Sequence, residues 1–162
     1  MTNANEYLVY ISSGRFMLAL LIKFFGNSPY FNSFSAGIFM FIATILLLII
    51  FEKYQKSTKL SLIISGGLFI SMPYVIGETL NFSMQGIYIS FAYCSLLFSI
   101  LMLISFIDAR EKNGRLSFFV FFIVSSVTAF GIYQSFVVVF VFVISCIFFI
   151  RVRQIRSADS LK

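Results

Sequence analysis

Residues 116–150 read LSFFVFFIVSSVTAFGIYQSFVVVFVFVISCIFFI, a run without a charged side chain. Wound as one α-helix it would be about 52 Å long, at about 1.5 Å per residue. A bilayer's hydrocarbon core is about 30 Å thick, so a single span of that length is too long even when tilted. Near the middle stand Gly131-Ile132-Tyr133-Gln134. The run is therefore read as two short helices, Leu116–Phe130 and Ser135–Ile150, joined by a tight turn. One of them is expected to be tilted, re-entrant or shielded by neighbours.

The rest of the chain carries the same signal. Of its 162 residues, 60% are hydrophobic and 11% are charged, and 23 are Phe. The mean hydropathy is +0.99. Soluble domains average about 45–50% apolar and about 25% charged residues. The composition excludes a soluble globular enzyme. It also excludes a nucleic-acid binder, although the net charge is +6, because the basic residues sit in short clusters between apolar runs. Three further uncharged runs are dense enough to span: residues 33–51, 60–76 and 86–107. The fold class is an all-α polytopic membrane helix bundle. It has about five transmembrane helices in one membrane domain over residues 1–162.

The charges orient the bundle. Lys53, Lys56 and Lys59 follow the first span, Arg110, Lys112 and Arg115 the third, and Arg151, Arg153, Arg156 and Lys162 the fifth. If the spans alternate, all ten fall on one side. The opposite loops, Gly77–Gln85 and Gly131–Gln134, hold no Lys or Arg. The positive-inside rule makes the clusters cytoplasmic, the N-terminus external and the C-terminus internal. The acids Glu52, Asp108, Glu111 and Asp159 lie among these clusters and are read as local charge balance at helix ends.

The N-terminal segment differs. Tyr7–Phe25 is apolar but holds Arg15 and Lys23, and an Arg at mid-bilayer costs about 3 kcal/mol. Ser12, Arg15, Ala19, Lys23 and Gly26 fall on one helical stripe, so residues 1–32 are read as an amphipathic extracytoplasmic segment in the outer interface. Asn27-Ser28-Pro29 ends that helix. The polar start, Met1 to Glu6, does not read as a cleavable signal peptide. The external placement leads us to expect a spanning helix upstream of this chain.

Several chemistries are missing. Without His there is no His base, His–metal site or Ser-His-Asp triad. Cys94 and Cys146 match no zinc or redox spacing and are read as buried or lipid-facing. Gly66-Gly67 is a lone pair in an apolar helix and not a phosphate loop. No cofactor is expected and no metal site is assigned. Tyr7, Tyr10, Tyr30, Tyr74, Tyr88 and Tyr93 suit an interfacial aromatic belt.

Two polar features remain. Glu78 follows an apolar span with no basic neighbour in sequence, and a carboxylate there needs a partner or a wet cavity. It is either a functional acid, or a plain loop residue or structural ion pair with Arg15 or Lys23 as partner, and residue types alone favour the latter. Tyr133 and Gln134 either satisfy the backbone of a turn or line a cavity for sugar hydroxyls, and residue types alone favour the turn.

Taken in order, Gly14-Arg15, then Pro73 followed by Glu78-Thr79-Leu80-Asn81-Phe82, then Gly131-Ile132-Tyr133-Gln134 resemble the type II glucosyltransferases of bacterial O-antigen modification. The resemblance covers roughly residues 7 to 150. These are polytopic membrane enzymes with a GT-C-like architecture. Membership implies transfer of a sugar, typically glucose, from a polyprenyl-phosphate carrier to a lipopolysaccharide O-antigen or similar surface polysaccharide at the outer leaflet. It implies Glu78 as the catalytic carboxylate, Arg15 as a ligand of the lipid phosphate, and Tyr133 and Gln134 as sugar-lining residues. Its partners are the lipid-linked sugar, the polysaccharide acceptor and membrane lipid, with no nucleic acid.

The departures are specific. The family carries paired acids before Gly-Arg, where only Glu6 stands here. An Asp usual about seven residues after the Glu is replaced by Gln85, and Phe16-Met17 replaces Pro-Leu. Family members are longer, so the chain is expected to be an internal piece, a truncated reading frame or a degenerate copy, with the flanking part of the same enzyme as a partner. The competing reading is a non-enzymatic accessory or flippase-type protein for lipid-linked sugars. It requires polar residues along a path through the membrane, such as Ser125, Ser126 and Thr128.

Overall fold

The structure, a computed structural model, describes residues 9, 11–25, 29–54, 66, 86–109 and 112–159. Among these every regular element is an α-helix: α1 (Phe16–Phe25), α2 (Pro29–Tyr54), α3 (Gly86–Asp108), α4 (Lys112–Ile132) and α5 (Phe136–Asp159). Three stretches are long and apolar enough to cross a membrane, Phe34–Lys53, Gly86–Asp108 and Gly114–Ile132. Phe136–Phe149 is a shorter apolar helix. The expected span 60–76 lies outside the described residues, except for Gly66. Gly66 is buried, and a Cβ there would meet Thr44 and Leu48 of α2.

α3 is the centre. Buried residues occur all round it, as expected for a helix surrounded by others. It packs along α2 and α4. On α2 the buried Ala36, Ala43 and Ile50 recur every seven residues and form a narrow seam. Ala43, Ala92 and Ala129 are fully buried, because small side chains let helices approach where lipid supplies no hydrophobic drive. Phe39 meets Phe91 edge-on at 5.1 Å. Outward, Phe34, Phe41, Val124, Val138, Phe142 and Phe149 are exposed. In water so much apolar surface would aggregate, whereas hydrocarbon solvates it.

Pro29 opens α2, at the position where a missing N–H costs nothing and the fixed φ suits a helix. The long apolar run is interrupted between Ile132 and Phe136. The N–H groups of Phe136, Val137 and Val138 donate to the carbonyls of Tyr133, Gln134 and Ser135, each at 3.1 Å. These short-range bonds satisfy the first turn of α5, as a break near apolar surroundings requires.

Two expectations change. Tyr88 and Tyr93 are 2% and 8% exposed, so they belong to the core and not to an interfacial belt. Tyr93 stacks edge-on with Phe136 at 4.7 Å, joining α3 to α5. Asp108 also does more than balance local charge. It pairs with Lys53 of α2 at 2.9 Å and with Arg151 of α5, so one carboxylate ties α3 to two other helices.

The Ser99 and Ser126 hydroxyls share a buried hydrogen bond at 2.8 Å between α3 and α4. Ser126→Ala is expected to cost only about 0.6 kcal/mol, since Ser99 can turn back to a carbonyl of its own helix. An unfolding equilibrium in detergent micelles checks this; a loss several times larger would mean that the pair fixes the bundle.

Candidate functional site

The N-terminal segment is not one continuous helix. Gly14 has φ +75°, a left-handed conformation that glycine adopts without a Cβ clash. Its N–H donates to the Ile11 carbonyl at 3.0 Å and closes the preceding turn. The chain restarts at Phe16, and the Arg15 carbonyl accepts from Ala19 N–H at 3.2 Å. The restart changes the expected stripe. Ala19 is buried with Leu18, Leu21 and Ile22, whereas Ser12 and Lys23 are exposed. The open face of α1 carries Phe16, Leu20 and Phe24.

This break places Arg15 beside the distant turn between α4 and α5. Its guanidinium carbon lies 4.9 Å from the centre of the Tyr133 ring, a cation–π distance worth about 1 kcal/mol. Gln134 donates from Nε2 to the Ser13 carbonyl at 3.3 Å. Two glycines make room. A Cβ at Gly14 would collide with the Gln134 amide, and one at Gly131 would lie 2.8 Å from Phe16 Cζ and 3.0 Å from Met17 Cβ. Two sequence segments some 120 residues apart thus lock together through a stack, a hydrogen bond and two missing side chains.

Arg15 and Tyr133 are half-buried and Gln134 is exposed, so the junction is open. It presents one cation, one phenol and one amide, able to hold an anion and hydroxyl groups. The three predicted residues Arg15, Tyr133 and Gln134 come together. Glu78 lies outside the described residues. Among the described residues no group of three His, Cys, Asp or Glu assembles that could hold a metal.

The hydroxyls expected on a polar path are occupied within the bundle. Ser125 donates to Phe121 O at 2.6 Å and Thr128 to Val124 O at 2.8 Å, while Ser126 meets Ser99. Ser125 and Thr128 border a cleft of about 340 Å³ between α2, α3 and α4, and its other walls are chiefly apolar.

The family model described as Glucosyl transferase GtrII matches residues 1–160. The chain belongs to the GtrII glucosyl transferase family. No curated protein and no solved structure matches it.

In this GtrII chain the contacts that sequence reasoning missed are Ser13, which supplies a backbone carbonyl, and Phe16 and Met17, which seat against Gly131. The glycines of Gly14-Arg15 and Gly131-Ile132-Tyr133-Gln134 were the available signal, each marking a close approach. Gly131→Leu is expected to lift α1 from α4 by overpacking, at about 1–3 kcal/mol. A cysteine at the buried Leu18 should then react with a thiol reagent about ten- to a hundredfold faster. Unchanged reactivity would show that Gly131 does not seat α1.

Proposed function

We propose that this GtrII chain carries the donor side of a glucosyl-transfer site facing away from the cytoplasm. A glucosyl group moves from a polyprenyl-phosphate carrier to a hydroxyl of a surface polysaccharide such as O-antigen. The attacking hydroxyl oxygen forms a bond to the anomeric carbon, and the bond from that carbon to the phosphate oxygen breaks. The bonding pair leaves with the phosphate, and the hydroxyl proton passes to the Glu78 carboxylate. Arg15 holds the phosphate, because its planar guanidinium fork can donate to two phosphate oxygens at once. Tyr133 and Gln134 hydrogen-bond the sugar. The helices form part of a GT-C-like arrangement in the bacterial inner membrane, with the basic clusters in the cytoplasm. A flanking part of the same enzyme supplies further acids.

The observation that supports this reading most is the stack of Arg15 on Tyr133, which joins the family's Gly-Arg and Tyr-Gln motifs at one open surface. A flippase path is supported less, because Ser125, Ser126 and Thr128 already bond within the bundle. Membranes containing the chain and any flanking part are given polyprenyl-phosphate glucose labelled in the sugar. The proposal expects label in the polysaccharide. Label that crosses the bilayer yet stays on the lipid would replace transfer with flipping.

A further inference from the structure

The Tyr133 ring touches more than Arg15. Its centre lies 6.0 Å from that of the Phe136 ring, with the two planes at 52°. Phe136 in turn meets Tyr93 of α3 edge-on at 4.7 Å. A row of contacts therefore runs from the guanidinium at the open junction to the central helix. Tyr133 is half-buried, whereas Phe136 and Tyr93 are buried. Phe136 is also set apart on its own helix. Among the α5 side chains whose burial is described, it alone is buried, and Val137, Val138 and Val139 beside it are exposed. The helix turns one ring inward at the residue where it begins, three positions after Tyr133.

The backbone between the two rings is fixed. Tyr133 N–H donates to the Ala129 carbonyl and Phe136 N–H to the Tyr133 carbonyl, each at 3.1 Å. Those bonds hold the main chain and leave the Tyr133 side chain to choose among a few staggered χ1 positions, a choice that packing decides. The choice matters for Arg15. A cation is held by a ring only while it stands over the ring face, within about 6 Å of its centre. A Tyr133 ring that swings aside therefore releases the guanidinium.

We propose that Phe136 is a positioning residue: its ring, braced by Tyr93, fills the space beside Tyr133 and keeps that ring under the Arg15 guanidinium. With Phe136 shortened, the half-buried Tyr133 ring turns into the vacated apolar space, because groups lining a void lose their contacts. Arg15 then loses the surface that aims it. The consequence for transfer rests on the sugar-transfer reading, but the placement of the ring does not. The test puts 3-fluorotyrosine at position 133 of the full chain in nanodiscs and follows its fluorine resonance. In the wild-type chain Arg15→Ala should shift that resonance, as the cation leaves the ring face. In the Phe136→Leu background the same substitution should shift it little, because the ring has already left Arg15. Phe136→Met, unbranched and adaptable, should restore most of the Arg15 effect by filling the space. A chain labelled instead at the buried Tyr88 controls for the fold, and its resonance should stay in place in Phe136→Leu. In membranes given polyprenyl-phosphate glucose, Phe136→Leu should lower kcat/KM for the donor about tenfold, within the loss that a slightly misplaced group causes. It should add nothing to Arg15→Ala, as expected when one residue acts through the other. A full Arg15 shift in the Phe136→Leu background, or none in the wild-type chain, would overturn the proposal whatever the rate does. So would movement of the Tyr88 label, which would make Phe136 a support of the whole bundle. Coupled shifts together with a wild-type rate for Arg15→Ala would uphold the placement of the ring and discard the sugar-transfer reading.

Discussion

Arg15→Ala is expected to lower sugar transfer about 100-fold, the usual cost of removing one preorganised donor from developing negative charge. Gly14 turns the chain with φ +75°, and Arg15 then sits 4.9 Å above the Tyr133 ring. That stack stabilises the fold by only about 1 kcal/mol, so the variant should accumulate and α1 should stay docked through Gly131. The charge therefore matters more to transfer than to folding. Arg15→Lys should recover part of the rate, because it keeps the charge but loses the planar fork. Tyr133→Phe keeps the aromatic face and should perturb the stack little. Transfer rates of these variants, normalised to protein in the membrane, provide the check. A wild-type rate for Arg15→Ala would remove Arg15 from the site.

Glu78→Gln is expected to lower transfer by about 10²–10⁴-fold, the contribution of a positioned general base. The swap keeps size and hydrogen bonding but cannot accept the acceptor's proton. Donor binding should persist, because Arg15 and the Tyr133–Gln134 turn are untouched. Retention of labelled polyprenyl-phosphate glucose by the inactive variant measures that separately. Loss of donor binding together with transfer would make Glu78 a structural partner, and unchanged transfer would dismiss it.

The helical membrane class was legible in the sequence because hydrocarbon forbids unpaired charge, and only twelve basic and six acidic side chains punctuate the chain. Gly131-Ile132-Tyr133-Gln134 was legible as a polar interruption for the same reason. Its meeting with Gly14-Arg15 was not, because periodicity carries no information about contacts between segments so far apart. The single stripe drawn through Ser12, Arg15 and Ala19 missed the turn at Gly14, since a helical projection assumes unbroken φ. Tyr88 and Tyr93 looked interfacial from their residue type, yet the neighbours of α3 bury them. Asp108 looked like local balance from its sequence neighbours, while its partners Lys53 and Arg151 lie on other helices.

The most direct test of the central claim is a cross-link between Ser13→Cys and Gln134→Cys, with Cys94 and Cys146 replaced by Ser. A short bifunctional thiol reagent that cannot cross the membrane is applied to spheroplasts. Rapid linkage of the two positions is expected, because Gln134 Nε2 lies 3.3 Å from the Ser13 carbonyl and the junction faces outward in the proposed topology. Linkage only after the membrane is opened would contradict that orientation, and no linkage in either state would contradict the joined site itself.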